Sequence, residues 1–179
     1  TRLKEFGCLP ENGTKRATII KTYVTSPLIE SIAKGHGLNC VNTLTGCKWA
    51  GQKILKYETE LKNGIFEEEG IGLDFENTDY YSRINLGIKY GKSCIFACEE
   101  SFGYLPYDLV RDKDGNASTI AFCELLSYLK RNKMTVIQYL DSIYLKYGYY
   151  DLRTINIYFE GASGAGKITN IVKSYSDDK

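Results

Sequence analysis

Ser93-Cys94-Ile95-Phe96-Ala97-Cys98 runs directly into Glu99-Glu100-Ser101-Phe102-Gly103-Tyr104, and Arg111-Asp112-Lys113-Asp114-Gly115 follows a few residues on. The first six residues are an almost wholly apolar run of the kind a buried strand leaves in a sequence. Beyond the charged stretch, Ala121, Phe122, Leu125, Leu126 and Leu129 recur at helical spacing, with residues 114–118 as a polar lead-in. A strand that ends in two carboxylates and a hydroxyl, then a loop with two basic residues, then a helix, puts its polar groups at the strand's carboxyl end. Open α/β sheets bind ligands there.

Upstream, Ala17 to Thr25 is rich in Val, Ile, Tyr and Thr and is bounded by Ser26-Pro27, which predicts a strand. Ser26 as N-cap and Pro27 in the first turn start a helix that buries Leu28, Ile29, Ile32 and Ala33 and ends at Gly35. Asn39 to Leu44 reads as a second strand, and Trp49, Ile54, Tyr57 and Leu61 as the inner side of a second helix. The expected fold class is therefore α/β: a single three-layer domain, with a mixed or mostly parallel sheet of about four strands flanked by helices and a short C-terminal tail.

Residues 63–92 break the alternation. Six acids among five glycines read as a solvated insertion, and their spacing does not fit a calcium loop. Thr135 is expected to cap a further helix, carrying Val136, Ile137, Leu140, Ile143, Tyr144 and Tyr147 on one face and ended by Gly148. Residues 1–16 read as the end of a preceding helix plus a linker, and residues 151–179 as a loosely attached tail.

A chain of 179 residues with 43% hydrophobic content is enough for one domain with a sizeable core. Lys and Arg number 23 against 22 Asp and Glu, so no global field recruits nucleic acid or an acidic membrane. No apolar run approaches the length of a membrane span, residues 1–13 lack the pattern of a secretory signal, and the absence of an initial Met suggests a fragment or processed product. Six cysteines without a CxxC read as reduced residues of a cytoplasmic protein. Cys94 and Cys98, on a regular strand, would point the same way roughly 13 Å apart, too far to share a metal. His36, between two glycines, reads as a turn residue.

Carboxylates and a serine hydroxyl exchange hydrogen bonds with sugar hydroxyls, while Arg111 and Lys113 offer charge to a phosphate. The plain alternative makes Glu99 and Glu100 solvated charges in weak surface pairs with Arg111 or Lys113. Together, residues 99–103 and 111–115 resemble the sugar-recognition loop of the α-D-phosphohexomutases, the phosphoglucomutase and phosphomannomutase family. Lys21-Thr22-Tyr23-Val24-Thr25-Ser26 resembles the strand that opens that family's third domain. Leu44-Thr45-Gly46-Cys47-Lys48-Trp49-Ala50-Gly51 resembles its Thr-Gly-Phe-Lys-Trp-Ile-Gly turn.

The resemblance implies a sugar-binding third domain over residues 17–150, with 1–16 as a linker or the end of a preceding domain and 151–179 as the truncated start of the fourth. It implies substrate contacts from Glu99, Ser101, Lys113, Arg111, Lys21, Thr45, Gly46 and Lys48, from loops that face one cleft. Glu99 and Ser101 would meet adjacent sugar hydroxyls, and removing Glu99 would be nearly silent for the stability of the isolated domain.

The family's phosphoserine, Mg²⁺-binding Asp-Gly-Asp-Gly-Asp loop and phosphate-clamp loop are absent from this sequence. Mg²⁺ and a sugar bisphosphate are therefore expected to serve a full-length parent, and this stretch alone is expected to be inactive. The implied partners are a hexose phosphate and the parent's other domains. Cys47 stands where this branch usually has Phe, and Ala97-Cys98 replaces a common Gly-Phe or Cys-Gly, which changes packing rather than polar groups. The implied activity is interconversion of glucose 1-phosphate and glucose 6-phosphate through a bisphosphate, with phosphomannomutase or phosphopentomutase as alternatives.

A reading from a different class attaches to Gly161-Ala162-Ser163-Gly164-Ala165-Gly166-Lys167, which matches the P-loop pattern G-x-x-x-x-G-K. Ile168 stands where a Ser or Thr must hold Mg²⁺, and few residues remain to complete a nucleotide-binding sheet. The competing expectation is a turn followed by a helix through Ile168, Ile171 and Val172.

Overall fold

The computed structural model describes residues 2–177 other than Phe102, Leu109 and Thr154. In chain order its elements are α1 (Arg2–Glu5), β1 (Ala17–Thr22), α2 (Leu28–Gly35), β2 (Asn39–Thr43), α3 (Cys47–Glu69), α4 (Tyr80–Tyr90), β3 (Ser93–Cys98), β4 (Tyr104–Leu105), α5 (Gly115–Arg131), α6 (Val136–Tyr147) and α7 (Gly161–Asp177). Every residue of β1 is buried, because it runs between two parallel neighbours. The sheet order is β2-β1-β3-β4, with β1 parallel to β2 and β3 and only β4 antiparallel.

Period-2 alternation along β1 feeds two cores. Ile20 points to one face, where it packs with Ala50, Ile54 and Tyr57 of α3, Ala97 and Leu105. Ala17 and Ile19 point to the other, where Ala33 of α2, Leu9 and Leu38 cover them. Helices on both faces give the three-layer α/β arrangement expected from the sequence.

A bulge in β3 alters one expectation. Thr18 pairs with Cys94 but Ile19 pairs with Phe96, so Ile95 is an extra residue and alternation shifts by one. Cys94 packs on the α3 side, while Cys98 lies in the field of Cys40 and Lys21. The two thiols therefore do not share a face. Burial pushes both up to about 12, and all six cysteines are free.

Residues 63–92 are not a solvated insertion. α3 continues to Glu69 with Ile65 buried, and α4 follows, its N-terminus capped by Asp79, which accepts the Ser82 N–H at 3.0 Å. Gly64, one of the five glycines of this stretch, is a point of close approach: a Cβ there would stand 2.6 Å from the Tyr90 carbonyl oxygen. The N-terminal segment is also more firmly held than a linker. Cys8 and Leu9 are buried, and the Arg16 guanidinium donates to the Ile88 carbonyl at 2.9 Å.

The start of α2 falls one residue later than expected: Pro27 stands at the N-cap position, and the Ser26 hydroxyl before it accepts the Leu28 N–H at 3.2 Å. Thr135 and Gln138 form a reciprocal capping box at α6. At the far end of α6, His36 exceeds a turn role: its Nε2 meets the Tyr147 hydroxyl at 2.9 Å and ties α6 to α2. The Ser31 and Tyr150 hydroxyls, 2.5 Å apart, add a second tie.

Beyond Tyr150 no described residue before Gly161 is helical or in a strand, and Ile155, Ile157 and Tyr158 are exposed. The P-loop expectation fails on geometry. Residues 161–167 coil into α7 instead of forming an open loop after a strand, and the Lys167 ammonium lies 5.6 Å from the Phe159 ring centre. Ile168, Ile171 and Val172 lie on a helix, as the competing expectation required. Among the described residues no helix is long and apolar enough to cross a membrane.

Candidate functional site

Because β1, β2 and β3 are parallel, the loops that leave them share one edge of the sheet. Thr45 and Gly46 leave β2, Glu99 to Ser101 leave β3, and the segment carrying Arg111 to Lys113 returns to the same edge before α5. Glu99 joins all three. Its Oε1 accepts the Gly46 N–H at 3.0 Å, and its Oε2 pairs with the Lys113 ammonium at 2.8 Å. The Glu99 side chain is 7% exposed and that of Lys113 20%. The hydrogen bond from Lys113, then the Gly46 N–H, hold the Glu99 carboxyl below its ordinary value against the effect of burial. Lys113 is raised in turn.

The other expected residues divide. Thr45 and Lys48 are exposed at this edge, with the Lys48 ammonium 5.0 Å from the centre of the Trp49 ring. Ser101 is half-buried, its hydroxyl 3.5 Å from Glu100 Oε1. Phe102 lies outside the described residues. Lys21, expected among the ligand contacts, is 2% exposed. Its side chain shares the face of Ala17 and Ile19 and turns under α2, where the ammonium pairs with Glu30 at 3.0 Å and donates to the Thr25 carbonyl at 3.1 Å. In this structure Lys21 fixes the loop after β1.

Arg111 is likewise engaged away from the edge. Its guanidinium pairs with Glu58 of α3, which also takes Lys62. Burial pulls the Glu58 carboxyl up, but the hydrogen bonds from Lys62 and Arg111 together bring it below its ordinary value. Asp112 lies between the two basic residues, its carboxylate accepting the Lys113 N–H at 2.7 Å and the Cys47 thiol. Two further bonds lock the site to α5: the Ser118 hydroxyl donates to the Tyr104 carbonyl at 3.0 Å, and the Tyr104 hydroxyl donates to the Ser118 carbonyl at 2.8 Å.

The comparisons with known proteins agree with this α/β fold. Residues 6–76 match the family model for phosphoglucomutase/phosphomannomutase, alpha/beta/alpha domain III. The chain carries a third domain of the α-D-phosphohexomutase family. The match ends before β3 and β4, which extend the sheet on the far side of β1. A probable phosphoribomutase of Schizosaccharomyces pombe is 33% identical over 141 residues, covering 79% of this chain and 19% of that protein. The glucose 1,6-bisphosphate synthase of Homo sapiens is 29% identical over 154 residues, covering 83% and 20%. A phosphoglucomutase of Staphylococcus saprophyticus is 27% identical over 174 residues, covering 97% and 26%. The chain thus spans about a fifth to a quarter of the length of these relatives. No solved structure gives a significant match.

Glu30 and Glu58 hold the loops of this edge but carry no motif signal, because each works through a partner that only the fold brings near. Asp112, inside the 111–115 stretch, joins them. Their folded carboxyls sit below their ordinary values: Glu30 through Lys21 and then Asn42, Glu58 as above, and Asp112 through the Lys113 N–H. With Glu99 they contribute stability that is in place above the unfolded carboxylate range near about 4 and is lost as pH falls through their lower folded values. His36, held down first by burial and then by Lys4 and Lys146, acts in the same direction from a higher pH. The melting temperature is expected to ease slightly below about pH 6.5 and fall steeply below about pH 4. A flat thermal-denaturation profile to pH 3 would show that these pairs contribute nothing.

Proposed function

We propose that this chain is the sugar-phosphate-recognition part of a phosphoglucomutase-type enzyme, whose full-length form interconverts glucose 1-phosphate and glucose 6-phosphate through a bisphosphate. The observation that carries the reading is the convergence on Glu99 of the Gly46 N–H and the Lys113 ammonium from two other loops. An ionised carboxylate has about four acceptor sites. Two are used here, which leaves capacity for donors from a sugar. Ser101 and Thr45 add hydroxyls beside it, while Lys113 and Lys48 supply positive charge for a phosphate. Groups that recognise hydroxyls common to two orientations suit a ligand that must bind both ways round.

Phosphoryl transfer itself calls for a metal and an activated nucleophile. Among the described residues no three His, Cys, Asp or Glu side chains converge so as to hold a metal. In a full-length parent, Mg²⁺ chemistry would belong to the other domains. The parent's other domains would close the cleft over the sugar. A pentose phosphate is the second reading, favoured by the 33% identity to a probable phosphoribomutase.

In solution, glucose 1-phosphate is expected to shift the amide signals of Gly46, Glu99, Ser101 and Lys113 with a Kd of about 1 mM or weaker, because the open edge excludes little water. Ribose 1-phosphate and mannose 1-phosphate titrated in parallel rank the sugars. ATP should leave residues 161–167 unmoved. Silence at Gly46 and Lys113 with all three sugar phosphates would remove the proposal.

A further inference from the structure

The geometry points to Glu58 and Gly51 of α3 as positioning residues: they clamp residues 111–113 against the helix and thereby set where the Lys113 ammonium and the Glu99 carboxylate stand. For the ligand, this inference rests on the sugar-phosphate reading. For the clamp, it rests on contacts alone.

Three residues of α3 touch this segment. Cys47, Gly51 and Glu58 are spaced by four and seven, which brings them to one face of a helix. The Cys47 thiol faces the Asp112 carboxylate and helps to hold it below its ordinary value. Gly51 lies under the backbone, where an added Cβ would stand 3.2 Å from the Arg111 carbonyl oxygen and 3.8 Å from its Cβ. Glu58 holds the Arg111 guanidinium. Side chains on a helix lean toward its N-terminus, so Glu58 reaches back along the axis to a segment that crosses the first turns.

The chemistry of Arg111 gives the clamp a functional edge. A guanidinium is the side chain best suited to grip a phosphate in two-pronged fashion. Here a carboxylate that is 8% exposed occupies it instead. Arg111 therefore acts as the fastener of its loop, and the positive charge at the ligand edge is left to Lys113, two residues on, and to Lys48. Glu58 decides that division. Without it, Arg111 is released and the loop loses its charged anchor to α3, so the support that fixes where the Lys113 ammonium and the Glu99 carboxylate stand is weakened. Gly51 sets the distance of closest approach: a methyl group there must push the Arg111 carbonyl away by a few tenths of an ångström.

The two residues make opposite predictions for stability, which separates positioning from general damage. Alanine has higher intrinsic helix propensity than glycine, so Gly51→Ala is expected to hold or raise the melting temperature. The same change should shift the Lys113 amide signal, move the carbon-detected titration midpoint of the Glu99 carboxyl toward its ordinary value, and weaken glucose 1-phosphate binding by about threefold or more. Glu58→Ala should do the same to both signals at some cost in stability. Glu58→Gln, which keeps an oxygen for Arg111 to donate to, should recover part of the wild-type shifts.

All measurements use the 179-residue chain. Unchanged Lys113 and Glu99 signals in Gly51→Ala overturn the clamp, even if Glu58→Ala fails to fold. Signals that move as expected, in a chain that binds no sugar phosphate with or without the substitution, leave the clamp standing and remove the sugar-phosphate reading instead.

Discussion

Replacing Ile20 by alanine is expected to destabilise the chain by about 2–5 kcal/mol, the range for truncating a large buried aliphatic side chain where the surroundings relax only partly. Ile20 is 1% exposed and sits mid-strand in β1, with partners on both flanking strands. It packs with Ala50, Ile54 and Tyr57 of α3, with Ala97 of β3 and with Leu105 of β4. Two of those partners are already alanines, so little nearby side-chain mass can move in to fill the space. In urea the midpoint should fall while the slope stays constant, since the surface exposed on unfolding hardly changes. A loss below about 1 kcal/mol would show that α3 does not seal this face. The same core carries Cys47 and the start of α3, so the stability of the sheet face and the placement of the Gly46 turn are linked.

The β-α-β-α beginning was legible because its signals are local. A β-branched run, a Ser-Pro start and a glycine stop each act within a few residues, and the structure uses them in β1, α2 and β2. The second half of α3 and all of α4 were illegible for the opposite reason. Gly64 is one of the five glycines that make residues 63–92 read as an insertion, yet its missing side chain admits the backbone at Tyr90, which no window of sequence can show. The acids at residues 67–69 then masked the apolar pair Ile65 and Ile84, which face inward from two different helices.

At the site, residue identity was legible and partnership was not. Glu99 and Lys113 were singled out, but the Glu58 that captures Arg111 lies 53 positions away. Lys21 offered one missed signal. Counting by twos from Ala17 and Ile19 places it on the face that α2 covers, and Glu30 of α2 supplies the counter-charge its burial demands. The bulge at Ile95, which reverses Cys98 relative to Cys94, left no mark in composition at all.

Glu99→Gln in a full-length parent is expected to lower turnover by at least about tenfold, equivalent to roughly 1.4 kcal/mol of transition-state stabilisation. The structure changes what the companion Glu99→Ala variant should do. Read from sequence as a ligand contact open to solvent, Glu99 would be nearly silent for the stability of the isolated domain when lost. In the fold it closes three loops, so alanine takes the Glu99 carboxylate away from the Gly46 N–H and the Lys113 ammonium. Hydrogen bonds to charged groups contribute about 1.5–3 kcal/mol. This one lies at the rim, where Lys113 remains 20% exposed and can turn to water, so a loss of about 1 kcal/mol is expected. Glutamine keeps an oxygen for the Gly46 N–H and gives up the negative charge, so its melting temperature should stay closer to that of the unaltered protein. The glutamine variant therefore decides the role of the side chain. If Glu99 receives sugar hydroxyls as a carboxylate, activity falls while stability is largely kept. If turnover survives in the glutamine variant and only the alanine variant is impaired, Glu99 is a fastener of loops and the ligand is held by other groups.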